Sequence, residues 1–195
     1  MRDDLRRRGL ALEYATLTWN VVGVGMLAAT AWRSGSVALA GFGLDSLIEI
    51  FASVVVIWQL TDTAVDREPL ALRLIGGAFL LLALYVLLQS AVAWHIGARA
   101  APSIPGMVWL LATIVAMLLL AYGKRRVGRA LGSVILLTES RVTLIDAALA
   151  GAVLLGVGAN TLFGWWWADP LAGLVIVTYG IREARAALRH AAAGQ

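Results

Sequence analysis

Cysteine is absent from this 195-residue chain, and histidine occurs only twice, as His95 and His190. The first absence excludes disulfide bonds and thiolate metal ligands, and the scarcity of histidine means that a buried metal site would consist mainly of oxygen atoms. Charged residues make up only 14% of the chain, against 61% hydrophobic residues, and the mean hydropathy is +0.83. This composition is too apolar for a soluble domain. We therefore expect residues 1–195 to form one integral membrane domain without a separate soluble domain.

Motifs for enzymatic chemistry are missing as well. A dinucleotide-binding GxGxxG motif fails because its third glycine would fall on Ser46, and no glycine-rich loop accompanies the basic cluster Lys124–Arg129. The net charge of +4 could suggest nucleic acid, but the basic residues lie in short clusters between apolar runs, where membrane orientation explains them. We interpret Lys124–Arg129 as the stop of the fourth apolar run. The sequence predicts no enzyme, no bound cofactor and no nucleic-acid partner.

Six apolar runs predict six membrane-spanning helices. They are Leu10–Trp32, Ser36–Leu60, Leu74–Ile96, Met107–Tyr122 with its flanks, Ser133–Leu162 and Pro170–Ile181, the last continuing as an amphipathic basic tail. Thirteen Lys and Arg residues lie at the N-terminus, after the second and fourth runs and in the tail, against Arg33 and Arg99 on the other side. By the positive-inside rule both termini are cytoplasmic, in a multi-pass protein of the cell membrane surrounded by lipid.

The second and fifth runs carry acidic residues at depth. Asp45 and Glu49 lie four residues apart and so share one helical face, and Asp146 lies deep in the fifth run. A charged carboxylate near the bilayer centre costs at least ~2.5 kcal/mol, so such residues usually face a cavity and mark an ion or proton path. We expect the three carboxylates to converge at the midplane, where a divalent cation and protons compete for them. The alternative is a set of protonated carboxyls that only hold helices together.

Other polar residues have alternative interpretations. Asn20 in the first run is either an interhelical hydrogen-bonding group or an accessory ligand, and Glu139 shares the face of Asp146. Arg141 points away from that face and is interpreted as structural. Asp169 precedes proline and is interpreted as the N-cap of the sixth helix.

A short sequence repeat relates the two halves of the chain. The tripeptide Leu47–Glu49 is matched by Leu144–Asp146, and the two predicted spans cross the membrane in opposite directions. An inverted repeat of three plus three spans would produce this pattern and would bring the two acidic segments together around a midplane site.

Three segments resemble the cation diffusion facilitator family: SGSVALAGFGLDSLIE in the second span, ESRVTLID in the fifth and WWWADPLAGLVIV leading into the sixth. The resemblance implies a dimeric six-span exporter of a divalent metal, most often zinc, driven by proton exchange. It places Asp45, Glu49 and Asp146 at ligand positions and Val142 at the fourth ligand position.

The chain departs from this family at three places. Val142 cannot coordinate, so the four-ligand zinc site is incomplete unless water, Asn20 or Glu139 contributes. The loop after the second span has Asp62, Asp66 and Glu68 but no histidine, which disfavours a second metal site there. The family's cytoplasmic C-terminal domain has no counterpart after the sixth span, which predicts a short branch of the family.

These departures leave the transported ion and the function open between alternatives. Oxygen ligands suit manganese, whereas the intrinsic affinity order favours zinc. We predict a proton-coupled exporter of a divalent metal cation, with zinc as the first candidate and manganese or another divalent cation as the alternative. The alternative is a non-transporting membrane scaffold or subunit that retains the fold, with Val142 as a sign of lost coordination.

Overall fold

The computed structural model describes residues 2–61 and 68–193, and all regular secondary structure in these ranges is α-helical. The helices are α1 Arg2–Ser34, α2 Val37–Thr61, α3 Glu68–Ile96, α4 Ile104–Leu131, α5 Val134–Phe163 and α6 Ala168–Ala193. The prediction of an all-α protein is confirmed for these residues. Asp62 and Asp66, considered above for a second metal site, lie outside the described residues.

Four of these helices contain stretches long and apolar enough to cross a membrane, judged on the described residues. The stretches are Asp4–Ser34, Gly76–Ile96, Ile104–Leu131 and Leu136–Phe163. Large apolar side chains are exposed along them, as lipid-facing surfaces require. The protein is therefore a multi-pass integral membrane protein, as predicted, and the total of six spans stays a prediction.

The fourth helix is longer than the sequence analysis predicted. It continues past Tyr122 through the basic cluster to Leu131, because Lys and Arg favour helix as strongly as most apolar residues do. Gly132 then ends α4 in the left-handed conformation, with φ of 65°, and Ser133 begins α5 by accepting a hydrogen bond from the backbone N–H of Leu136. This short link makes α4 and α5 antiparallel neighbours.

Contacts between α1 and α4 show that these two helices are also antiparallel. Gly123 packs against Leu12, and the indole N–H of Trp19 donates a hydrogen bond to the hydroxyl of Thr113 at 3.1 Å. The numbering therefore rises along α1 as it falls along α4. Since α4 is antiparallel to both α1 and α5, the helices α1 and α5 run parallel to each other.

The remaining helices complete a bundle with one apolar core. α2 runs antiparallel to α1, with Gly43 against Leu27, and α6 packs against α3, α5 and α2. The core contains side chains from all six helices, and its fully buried members include Leu27, Leu39, Phe42, Val86, Leu110, Val153 and Ile176. Polar residues buried inside this bundle are enclosed by protein rather than lipid, which is the arrangement expected of a site on an ion path.

Candidate functional site

The three predicted ligand carboxylates are all buried inside the bundle. Asp45 is 1% exposed, and Glu49 and Asp146 are each 4% exposed. Asp45 and Glu49 lie one turn apart on α2, and both interact electrostatically with Asp146 on α5. All three acids that the sequence analysis singled out therefore face the interior of the bundle, two on α2 and one on α5.

The helix registers define the relative levels of these residues along the bundle. On α2, Ser46 lies opposite Gly23 of α1, so Glu49 is level with Asn20 in this antiparallel pair. Asn20 is itself buried, at 3% exposed. Asp45 lies one turn from that level, on the side of the α1–α2 connection.

Because α1 and α5 run parallel, Asp146 lies at the same level along the bundle as Asn20 and Glu49. Glu13 of α1 and Glu139 of α5 both contact one side chain of α4, which sets them side by side. Seven residues further along each helix are Asn20 and Asp146, two turns from the glutamates. A polar layer of Asn20, Glu49 and Asp146 therefore crosses the bundle.

In this conformation the carboxylates are neighbours rather than a closed coordination shell. Among the described residues, no three acidic or histidine side chains are close enough to hold one metal ion directly. However, both carboxylate oxygens of Asp45 and the amide Nδ2 of Asn20 are buried without a hydrogen-bond partner. Buried polar groups are nearly always paired, so the unpaired oxygens of Asp45 are suited to a cationic ligand.

The inward face of α5 differs slightly from the predicted one. Glu139 and Asp146 are buried as expected, but Val142 is only half-buried, while Thr143 next to it is 2% exposed. The Thr143 hydroxyl donates a hydrogen bond to the Glu139 carbonyl at 2.8 Å. The buried polar face of α5 therefore consists of Glu139, Thr143 and Asp146, and Val142 lies at its edge.

Lys124 is the central residue of a buried ion network that the sequence analysis missed. Its side chain is fully buried, and its ammonium donates hydrogen bonds to Glu13 Oε2 at 3.0 Å, Glu139 Oε2 at 3.4 Å and Thr143 Oγ1 at 3.2 Å. The sequence analysis assigned Lys124 only to the basic stop after the fourth run. In the structure α4 continues through that cluster and turns this residue inward. Glu139, a candidate accessory ligand, is engaged by this ammonium instead.

A sequence signal for Lys124 did exist. Met117 and Thr113, which lie seven and eleven residues before Lys124, are buried on the same face of α4. Extending that periodicity through the basic cluster puts Lys124 on the inward face. Its neighbours Arg125 and Arg126 are exposed.

Asp169 has a different role from the one predicted. It is 2% exposed and lies inside the first turn of α6, where its carboxylate accepts hydrogen bonds from the hydroxyl of Ser36 and, at 2.9 Å, from the backbone N–H of Val37. The prediction that Asp169 caps its own helix was wrong. It caps α2, because the N-terminus of α2 lies beside that of α6 and offers unpaired N–H groups and a positive dipole end.

Arg141, His95 and a cluster of tryptophans lie away from the buried polar groups. Arg141 is exposed, as expected for a residue pointing away from the polar face, and His95 is exposed in the last turn of α3. Trp165 and Trp167 stack with ring centroids 5.4 Å apart, and Trp166 lies 5.5 Å from Trp94. Tryptophan is the residue type that membrane–water interfaces favour, which suits this end of the bundle.

Comparison with known proteins places these observations in a family context. The profile of the cation efflux transmembrane domain matches residues 65–193, which is more than half of the chain and includes Asp146. Transmembrane protein 163 of Xenopus laevis is 27% identical over 155 residues, covering 73% of this chain and 54% of that protein. The chain thus spans about half the length of this curated relative.

Proposed function

Because the chain belongs to the cation efflux family, we propose that it exports a divalent metal cation, with zinc as the first candidate and manganese as the second, in exchange for protons. The observation that carries the proposal is the buried group of Asp45, Glu49 and Asp146, in which both oxygens of Asp45 lack a partner. Members of this family are transporters, so the expectation that the chain is no enzyme is consistent with the family.

The chemistry of the site accounts for coupling between metal and protons. Buried carboxylates repel one another and lose hydration, and either a divalent cation or protons relieve both effects. Metal and protons are therefore alternative occupants of one set of oxygens. If the site opens to each side of the membrane in turn, metal moves one way and protons the other without further machinery. A small closure of α2 toward α5 would convert neighbouring carboxylates into a coordinating group.

The proposal includes an architecture: one domain of six spans, cytoplasmic termini, an inverted repeat of three plus three helices, and a homodimer as implied by the family resemblance. The pattern of helix contacts supports the repeat. In such a repeat, α1, α2 and α3 correspond to α4, α5 and α6. The contact between α1 and α2 then corresponds to that between α4 and α5, and the contact between α2 and α3 to that between α5 and α6. All four contacts are present. The correspondence also brings α2 and α5, which carry the acids, to equivalent positions.

The alternative function is a non-transporting scaffold or subunit. The half-buried Val142 at the family's fourth ligand position favours it, together with the absence of a preformed metal group among the described residues. Such a protein would bind no metal at the carboxylates and would move none.

The deciding experiment is transport by the purified protein in sealed vesicles. With protons loaded inside the vesicles, we expect uptake of Zn²⁺ or Mn²⁺ into the lumen. Protons should leave the lumen at the same time, so the luminal pH should rise. Asp45→Asn, Glu49→Gln and Asp146→Asn should each reduce the flux by at least about tenfold, because each removes a charge that the cation needs.

The matched control removes a carboxylate outside the bundle. Asp4 is exposed and paired with Arg8 on the surface of α1, so Asp4→Asn should leave the flux unchanged. Wild-type flux in the Asp45 and Asp146 variants would exclude this group of carboxylates as the pathway, and absence of flux in the folded wild type would favour the scaffold.

A further inference from the structure

The ion network around Lys124 has the composition of a cation site. Two carboxylates, from Glu13 and Glu139, and the hydroxyl of Thr143 surround one positive charge. Glu13 and Lys124 are fully buried and Glu139 is 8% exposed. These oxygen ligands are of the kind that Mn²⁺ and other hard divalent cations prefer, and here the occupying cation is an ammonium of the chain itself.

The network retains capacity for a stronger ligand than Lys124. The second carboxylate oxygen of Glu13, Oε1, is buried without a hydrogen-bond partner. One ammonium also leaves the two carboxylates with an excess negative charge, whereas a divalent cation would neutralise both. The unpaired oxygen and the uncompensated charge both favour a divalent occupant.

The Lys124 network lies on the same polar face of α5 as Asp146 of the proposed transport site. Glu139, Thr143 and Asp146 form one face of α5 and span about two turns, or ~10 Å. Lys124 contacts Glu139 and Thr143 of this face, so the network and Asp146 share one side of α5. An ion moving along this face of α5 would meet the two groups in succession.

The depth of the network places it at the inner end of this polar face. In the proposed topology α4 begins at the outer side at Ile104, and the ~30 Å core takes about 20 residues, which reaches Lys124. On α5, the outer end is at Phe163, and the same stretch of about 20 residues counted back from there reaches Thr143. Asp146 and Glu49 therefore lie inside the core, with the Lys124 network between them and the cytoplasm.

We propose that Lys124 is a tethered cation that closes the inner end of the ion path: its ammonium occupies a cation site formed by Glu13, Glu139 and Thr143, and a transported divalent ion displaces it in passing. The proposal rests on the proposed function for the existence of an ion path. The cation site itself is independent of that function, because its ligands are distinct from Asp45, Glu49 and Asp146.

Lys124→Met tests the site, because methionine fills similar space and removes the charge. The measurement uses purified full-length protein in which Asp45→Asn and Asp146→Asn have disabled the proposed transport site. On adding Lys124→Met to this background, we expect about one additional Mn²⁺ bound per chain and a melting temperature that rises with Mn²⁺ concentration. Adding Glu13→Gln and Glu139→Gln as a control should abolish both effects.

The outcome distinguishes a cation site from a structural ion pair. An ion pair that only joins helices predicts a lower melting temperature for Lys124→Met with no recovery in Mn²⁺. A folded Lys124→Met variant that binds no more Mn²⁺ than its background would overturn the proposal. If this variant gains the site while the wild type moves no metal in vesicles, the transport function fails and the cation site stands.

A second measurement keeps Lys124 and so does not depend on the folding of Lys124→Met. The chain has no cysteine, so Thr143→Cys introduces a single thiol beside the ammonium. Glu13→Gln weakens the network on the α1 side, and we expect it to raise the rate at which a small cationic thiol reagent, added from the cytoplasmic side, modifies this cysteine by at least tenfold. An equal rate with Glu13 and with Gln at position 13 would show that the network does not close the path.

Discussion

Position 142 is where the chain departs most clearly from the ligand pattern of its family. Val142 lies four residues before Asp146 and is half-buried at the edge of the polar face. We expect Val142→His to add an imidazole nitrogen to the proposed metal site, whose other proposed ligands are oxygen atoms, and nitrogen favours zinc over manganese. The gain should be on the order of 1 to 3 kcal/mol, the size of a charge-assisted contact. Calorimetric titration of Zn²⁺ and Mn²⁺ into wild type and variant measures it.

The control for this substitution is a histidine on a different face. Leu144 is 51% exposed on α5, so Leu144→His should leave the zinc-to-manganese ratio unchanged. If Val142→His also leaves that ratio unchanged and lowers the melting temperature without recovery in zinc, position 142 lies outside the coordination shell. The histidine would then be a buried polar misfit.

At the residue level, the sequence predicted which side chains are buried within a single helix. It did not predict which residues of different helices pair with each other. The depth of Asp45 and Asp146 follows from their place in apolar runs, and their burial is confirmed. The roles of Lys124 and Asp169 depend on Glu13 and Val37, which come from distant parts of the chain. Such pairings are set by tertiary packing, which no local periodicity encodes.

At the level of helices, two glycines on α5 provide a matched pair of packing tests. A Cβ at Gly156 would overlap the Cβ of Ala172 and would lie 2.8 Å from the carbonyl oxygen of Ala168, so α5 and α6 approach closely there. A Cβ at Gly151 would meet no atom within 4 Å. Gly156→Ala should destabilise the protein by about 1 to 3 kcal/mol through overpacking.

Gly151→Ala should have the opposite effect. Alanine is favoured over glycine in a helix by up to about 1 kcal/mol, and the space at position 151 is open. The melting temperature, followed by tryptophan fluorescence, should therefore be lower than that of the wild type for Gly156→Ala. For Gly151→Ala it should be unchanged or higher. Equal shifts in both variants would show that α5 and α6 are further apart than the structure has them.

The junction of α2 and α6 supports a second test at this level. Asp169 satisfies the N-terminus of α2 through Val37 and Ser36. Asp169→Ala removes this cap and should cost about 1 to 2 kcal/mol of stability, whereas Asp169→Asn keeps an acceptor oxygen and should cost less. Melting temperatures of the two variants provide the comparison. An Ala variant as stable as wild type would mean that α2 and α6 are not joined at this point.

Helix ends account for most of the difference between predicted and observed elements. Composition identified the apolar centres of the helices, whereas the ends depend on caps. α4 continues through the basic cluster to the pair Gly132 and Ser133, and α6 begins at Ala168 and continues to Ala193. Because basic residues are both good helix formers and membrane-stop signals, the hydropathy pattern alone did not distinguish a helix end from a helix leaving the membrane.

For the whole molecule, the six-span topology makes predictions that differ helix by helix. Arg99, Arg126 and Arg189 are exposed and lie after α3, within the end of α4 and near the end of α6. The native chain has no cysteine, so a single Arg→Cys substitution at each position yields a chain with one reactive thiol. With cytoplasmic termini, a membrane-impermeant reagent added to intact cells should modify only the thiol at position 99. The other two should react after permeabilisation.

Each of the three positions tests a separate part of the topology. Reaction at position 99 from outside requires α2 to cross the membrane, because α3 would otherwise end on the cytoplasmic side. Protection at position 189 requires α6 to cross as well, since α5 runs outward from the cytoplasmic loop that holds position 126. Protection at position 99 with reaction at position 126 would mean either that α2 does not cross or that the chain is inverted. A thiol at position 4, at the start of α1, separates these two outcomes, because only inversion exposes it outside.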